Sequence, residues 1–223
     1  MEDNDRYLFF RSVRGADVSG VEKFLKSKTV DPDICEESTK ETALFIAIST
    51  KQTAMIDVLL KYGAKPDAYK SERGGTALHM AAWRGEVEIV KKLIQASADI
   101  EATGDSWTPL MHAISADGQD AFMTLLDAGA NIHFQNERGE TLLHIAAMQE
   151  KLEIVRILLE RGVDARLENK SKLTADRLSD SKEIREIILS WASLQNEQEK
   201  SAKDNAFKAH LEKLDIMFPR RKR

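Results

Sequence analysis

The side chains of this chain best suited to bind a metal or act as nucleophiles are five histidines and one cysteine. Cys35 has no second cysteine to pair with and no basic neighbour to lower its pKa, so an inert thiol is expected rather than a catalytic one. No Cys/His group has the short ligand spacing of a zinc site. The carboxylate pairs Glu86/Glu88 and Glu150/Glu153 read as solvated helix faces, not as an acid–base pair. HExxH, GxSxG and a glycine-rich phosphate loop are all missing. The expectation is therefore no catalytic residue, no metal, no cofactor and no small-molecule substrate.

Charge narrows the partners. A net charge of −4 and a pI near 5.8 give no electrostatic footprint for nucleic acid or an anionic membrane. The opening MEDNDRYLFFRSVRG does not read as a secretory leader, and the sequence has no apolar run of the roughly 18 residues a membrane helix needs. With a lone cysteine, a reducing compartment is expected, cytoplasmic with the nucleus as alternative, and no membrane insertion.

The remaining histidines gain meaning from the elements that carry them. Aligned on threonine, the chain contains TALF from Thr42, TALH from Thr76, TPLM from Thr108, TLLH from Thr141 and a worn TADR from Thr174, at intervals of 34, 32, 33 and 33 residues. Later in each clear copy comes an aliphatic pair, Leu59-Leu60, Leu93-Ile94, Leu125-Leu126 or Leu158-Leu159. A small-residue turn follows, with glycine in three copies and Ser97 in the other, where a helix must end in a left-handed residue. Threonine suits the N-cap of a short first helix, and VEIVKKLI or LEIVRILL has the apolar spacing of a second. One such unit cannot bury its own apolar faces, so neighbours must stack.

Period, TxLH motif, aliphatic pair and GAD-type turn together resemble the ankyrin repeat over roughly residues 7–192. The resemblance implies an all-α ankyrin-repeat solenoid of about six stacked helix-turn-helix units. YLFFRSVRGADVSGVEKFL (7–25) and ENKSKLTADRLSDSKEIREIILSWA (168–192) would be its atypical caps. It also implies that His79 and His144 hydrogen-bond adjoining backbone, and that partners bind a concave surface of fingers and first helices. His112 falls one place after the histidine position, in the slot of Met80 and Ile145, and reads as a satisfied buried histidine. His133 falls on a finger, where solvation is the default.

The variable first-helix positions would be Ser49-Thr50, Trp83-Arg84, Ser115-Ala116 and Met148-Gln149, joined by Gly75, Trp107, Glu140 and Leu173 before each threonine. Tryptophan and arginine dominate binding hot spots. The expected contact residues for a protein partner are thus Tyr69, Trp83, Arg84, Trp107, Met148, Gln149 and Arg138. The expectation is a non-enzymatic adaptor or scaffold, monomeric when unbound; the alternative is a nuclear regulator resembling inhibitor-type ankyrin proteins.

After residue 192 a polar linker or frayed helix is expected over QNEQEKSAKDN, then a short amphipathic helix through Phe207, Leu211, Leu214 and Phe218. The basic end Arg220-Arg221-Lys222-Arg223 is a candidate import signal. Residues 1–192 would form the repeat domain and 193–223 the tail.

Overall fold

The computed structural model describes residues 3–69, 75–115 and 119–217, and side chains within 4–202 of those ranges. The chain divides into two compact units, Met1–Glu137 and Arg138–Arg223. Among the described residues the regular structure is helical, and extended pairing is limited to isolated bridges such as Cys35 with Thr42 and Gly104 with Trp107.

The first unit holds four helix pairs: α1 (Asp3–Arg14) with α2 (Val18–Lys26), α3 (Ala43–Ser49) with α4 (Thr53–Lys61), α5 (Ala77–Trp83) with α6 (Val87–Gln95), and α7 (Pro109–Ser115) with α8 (Gln119–Asp127). The threonines do what their position demands. Thr42 and Thr108 accept from the N–H groups of Phe45 and Met111 at 3.3 and 3.4 Å, satisfying donors a helix start leaves orphaned. The first helices pack in a row, α1 on α3, α3 on α5 and α5 on α7. Small residues permit it: Ala47, Ala81, Ala82 and Ala113 are fully buried. Each second helix buries its apolar stripe, for example Ile89, Val90 and Leu93 in α6. Ser97, standing where three copies have glycine, adopts φ +64°, the left-handed conformation the turn requires.

The second unit holds α9 (Leu142–Met148), α10 (Leu152–Glu160), a 3₁₀ turn at Ala175–Leu178, and α11 (Lys182–Met217). The worn TADR copy thus makes one tight turn in place of a first helix, and Thr174 gives no side-chain cap. Glu150 is not a solvated helix face. It sits past the end of α9 at φ +57°, and its carboxylate accepts from the Ser179 hydroxyl at 3.0 Å and the Asp180 N–H at 2.7 Å, just before α11 begins. Glu86 likewise is half-buried and paired with Lys51 at 2.9 Å, whereas Glu88 is exposed.

The polar run after residue 192 forms neither linker nor frayed end over its described part, because α11 continues through it. Gln195 anchors it: its amide oxygen accepts from the Ala165 N–H at 3.0 Å and its NH₂ donates to the Val163 carbonyl at 2.9 Å. Arg166 donates to Asn196 and Glu199 at 3.1 and 2.6 Å on the same side. These contacts hold polar helix against polar turn, which hydrophobic periodicity alone does not register. The side chains of Phe207, Leu211 and Leu214, together with Phe218 and Arg220, Arg221, Lys222 and Arg223, lie outside the described residues.

Candidate protein-binding surface

In the first unit the side chains of α3, α5 and α7 converge with the finger before Thr108. His79 organises the junction. Its Nδ1 accepts from the Thr76 N–H at 3.0 Å and lies 2.9 Å from the Thr76 hydroxyl, so its proton sits on Nε2, which donates to the Trp107 carbonyl at 3.0 Å. One neutral imidazole thus closes the start of α5 and ties the next finger to it. Burial lowers its pKa, since protonating Nδ1 would charge a ring that is only 3% exposed. His144 repeats this in the second unit, with Thr141 at Nδ1 and the Leu173 carbonyl at Nε2, 3.0 Å away.

The finger before Thr108 is unusually tight. Gly104 and Trp107 exchange backbone hydrogen bonds at 2.8 and 2.9 Å, leaving only Asp105 and Ser106 to turn the chain, at φ +52° and +66°. A two-residue hairpin of this kind favours Asn-Gly or Asp-Gly. Two consecutive L-residues in the left-handed region hold it here, at a cost of about 1–2 kcal/mol each.

His112 is satisfied by the Gly104 carbonyl, as expected, but is less buried than expected. Its ring is half-buried, 5.3 Å from His79 edge-to-face and 5.4 Å from Trp107, and it lines a cavity of about 240 Å³ together with Phe45, Met80, Trp83 and Asp105. Desolvation lowers its pKa to about 4, with neighbouring His79 second; Asp105 and the Gly104 carbonyl pull the other way. The imidazole is therefore neutral at neutral pH.

The expected contact residues have different fates. Trp83, at the end of α5, is 55% exposed and borders the cavity. Trp107 is half-buried, with its ring against His112. Arg84 borders the cavity too, but its guanidinium donates to the Ser49 and Ile48 carbonyls at 2.8 and 3.3 Å, satisfying the end of α3. Tyr69 lies against Phe45, ring centres 4.4 Å apart. Ala116 is outside the described residues. In the second unit Met148 is 45% exposed, Gln149 caps α9, and Arg138 is exposed with its carbonyl accepting from the Lys170 N–H at 2.9 Å. Phe45, Met80 and Asp105 were not expected at a site. The one advance signal was the short 32-residue interval that ends at Thr108.

Among the described residues no cluster of three or more His, Cys, Asp or Glu could hold a metal, and no helix is long and apolar enough to cross a membrane. A family model for ankyrin repeats matches residues 9–104 and 98–169. The chain belongs to the ankyrin repeat family. It is 30% identical over 158 residues to the B-cell lymphoma 3 protein homolog of Mus musculus, which covers 69% of the chain and 35% of that protein. It is also 30% identical over 127 residues to the nuclear factor NF-kappa-B p105 subunit of Gallus gallus, covering 55% of the chain and 13% of the relative. The E3 ubiquitin-protein ligase KEG of Arabidopsis thaliana matches at 30% over 118 residues, 50% of the chain and 7% of the relative. The chain thus spans about a third or less of each relative. Ankyrin repeats are protein-interaction modules, and the stacked helix pairs of each unit accord with that role.

Proposed function

We propose that this chain is a non-enzymatic adaptor or scaffold, active in the cytoplasm and monomeric when unbound, and that the first unit engages a protein partner around Trp83. The observation that supports it best is Trp83 itself, 55% exposed on a short helix whose residues Ala77, Leu78, Ala81 and Ala82 are all buried. An indole so placed adds nothing to the core, yet offers large rigid area at little entropic cost. Tyr69, Arg84 and Trp107 would frame it, with Met148, Gln149 and Arg138 as further contacts offered by the second unit.

The test is affinity capture from cell lysate with wild type and Trp83→Ala. Circular dichroism and melting must first show equal folding, as an exposed side chain predicts. A partner retained by wild type should bind the variant at least about tenfold more weakly. Equal recovery of every partner would remove Trp83 from the binding surface.

A second reading, a nuclear regulator, draws on the chicken relative, whose name marks it as a nuclear factor, and on the basic end Arg220–Arg223. Deleting residues 220–223 from a fluorescently tagged chain should shift it from nucleus to cytoplasm; unchanged distribution would count against import by this segment.

A further inference from the structure

We propose that the first unit has a second contact site, at Arg11 of α1, and that it takes an acidic side chain, aspartate or glutamate, from a protein partner. This rests on the reading of the first unit as a partner-binding surface, though not on Trp83. Position comes first. Ala16 and Gly85 hold left-handed backbone at φ +55° and +68°, two residues past α1 and α5, and Arg11 and Met80 each stand five residues before them. Arg11 therefore occupies on α1 the place that Met80 occupies on α5, where it lines the cavity beside Trp83. A cavity of about 440 Å³ opens at Arg11 too, between α1 and the finger before Thr42. That volume lies within the ~300–1,000 Å³ of ligand sites. Because α1 packs on α3 and α3 on α5, both cavities belong to the same row of first helices.

The lining decides the charge of the guest. Three arginines border this cavity, and two are engaged within the chain. Arg6 donates to Glu37 at 2.8 Å and to the Cys35 carbonyl at 3.0 Å, and Arg14 donates to Glu36 at 3.1 Å. Arg11 is exposed and has no hydrogen bond or ion pair among the described residues. One open guanidinium matches one carboxylate, which its planar fork binds in a bidentate pair. A polyanion such as nucleic acid would be repelled by the adjoining Glu36 and Glu37 carboxylates. A cationic anchor would be repelled by Arg11 and would find both glutamates engaged, and an apolar anchor would strip water from Arg11 without supplying a counter-charge.

Tyr7 supplies an independent observation. It precedes Arg11 by four residues, on the same side of α1, and it is 64% exposed, more than Trp83. Its hydroxyl has no hydrogen-bond partner among the described residues. Tyr7 lines the cavity with Arg11 and the buried Phe10, so a carboxylate held there accepts from the guanidinium and the phenol. The rings lower the local polarity, which strengthens the pair.

Random peptides fused to their carrier at the C-terminus, and selected on the full-length chain, test the assignment. Wild type and Arg11→Gln are compared after melting shows equal folding, as an exposed residue without a partner predicts. Peptides whose binding depends on Arg11 should share an aspartate or glutamate. Synthesised with amidated C-termini, they should bind about tenfold more weakly when that residue is replaced by asparagine or glutamine, and raised salt should weaken the parent peptide but not the replaced one. Arg11→Gln should cost the parent peptide the same factor and the replaced peptide little more. Arg11-dependent peptides that lack an acidic residue, or that bind equally well once it is replaced, would overturn the proposal. A library returning no Arg11-dependent peptide would overturn it as well, and lysate capture with Trp83→Ala decides separately whether the unit binds a protein around that indole.

Discussion

His79→Ala is expected to destabilise the first unit by about 3–5 kcal/mol, although the residue it removes is polar. Three losses coincide. The Thr76 N–H loses its acceptor beside a threonine that is 1% exposed, the Trp107 carbonyl loses its donor, and the His112 ring loses its edge-to-face neighbour 5.3 Å away. The carbonyl bond also ties the tight finger to α5, so its loss should free the strained turn around Asp105. Stacked repeats can open locally, and the measurement should therefore be amide hydrogen exchange resolved along the chain, together with urea unfolding. Protection should fall first in α5 and α7. His79→Leu, which refills much of the volume but restores neither hydrogen bond, should recover less than half of the loss. A change below about 1 kcal/mol would mean that water replaces the imidazole at both positions.

Much of the scaffold could be read from residue spacing because its causes are local. A threonine reaches the N–H three residues on, as Thr42 does with Phe45, and a left-handed residue ends a second helix one position past its cap, as Ser97 does. What escaped depends on contacts distant in sequence. Arg84 reads as an exposed arginine until α3 delivers the carbonyls of Ile48 and Ser49 to it. Glu150 reads as a helix-face carboxylate, but a left-handed backbone turns it toward Ser179 and Asp180, about thirty residues away. The run after residue 192 lacks apolar periodicity, yet Gln195 completes the backbone bonds of Val163 and Ala165. At the candidate site, tryptophan's chemistry singled out Trp83. The cavity beside it stayed hidden because Phe45, Met80, Asp105 and His112 come from four different segments.

Acidification should weaken the protein before the paired carboxylates Glu36 and Asp164 titrate, and His112 should carry much of the effect in the first unit. In the unfolded chain the imidazole titrates near its ordinary 6.5, whereas in the folded state desolvation and His79 lower it to about 4. Between those values the unfolded state binds more protons than the folded one, so unfolding free energy rises with pH and is lost as pH falls from about 6.5 toward 4. His79 and His144, both lowered chiefly by burial, add in the same direction. Their protonation also removes the acceptor of the Thr76 and Thr141 N–H groups. Glu36 and Asp164 have lowered pKa values from Arg14 and Arg166, and their contribution is lost only below the ordinary carboxylate range. The histidines thus act alone in the upper part of the window. For His112 the loss is bounded near 3 kcal/mol at the acid end, and its partial exposure makes the realised value smaller. His112→Met, the residue that occupies the same slot at Met80, should cost less than about 1.5 kcal/mol at neutral pH and flatten the dependence of stability between pH 6.5 and 4.5. Chemical unfolding of wild type and variant at several pH values checks it; parallel curves would show that the His112 ring takes up its proton in the folded state as readily as in the unfolded one.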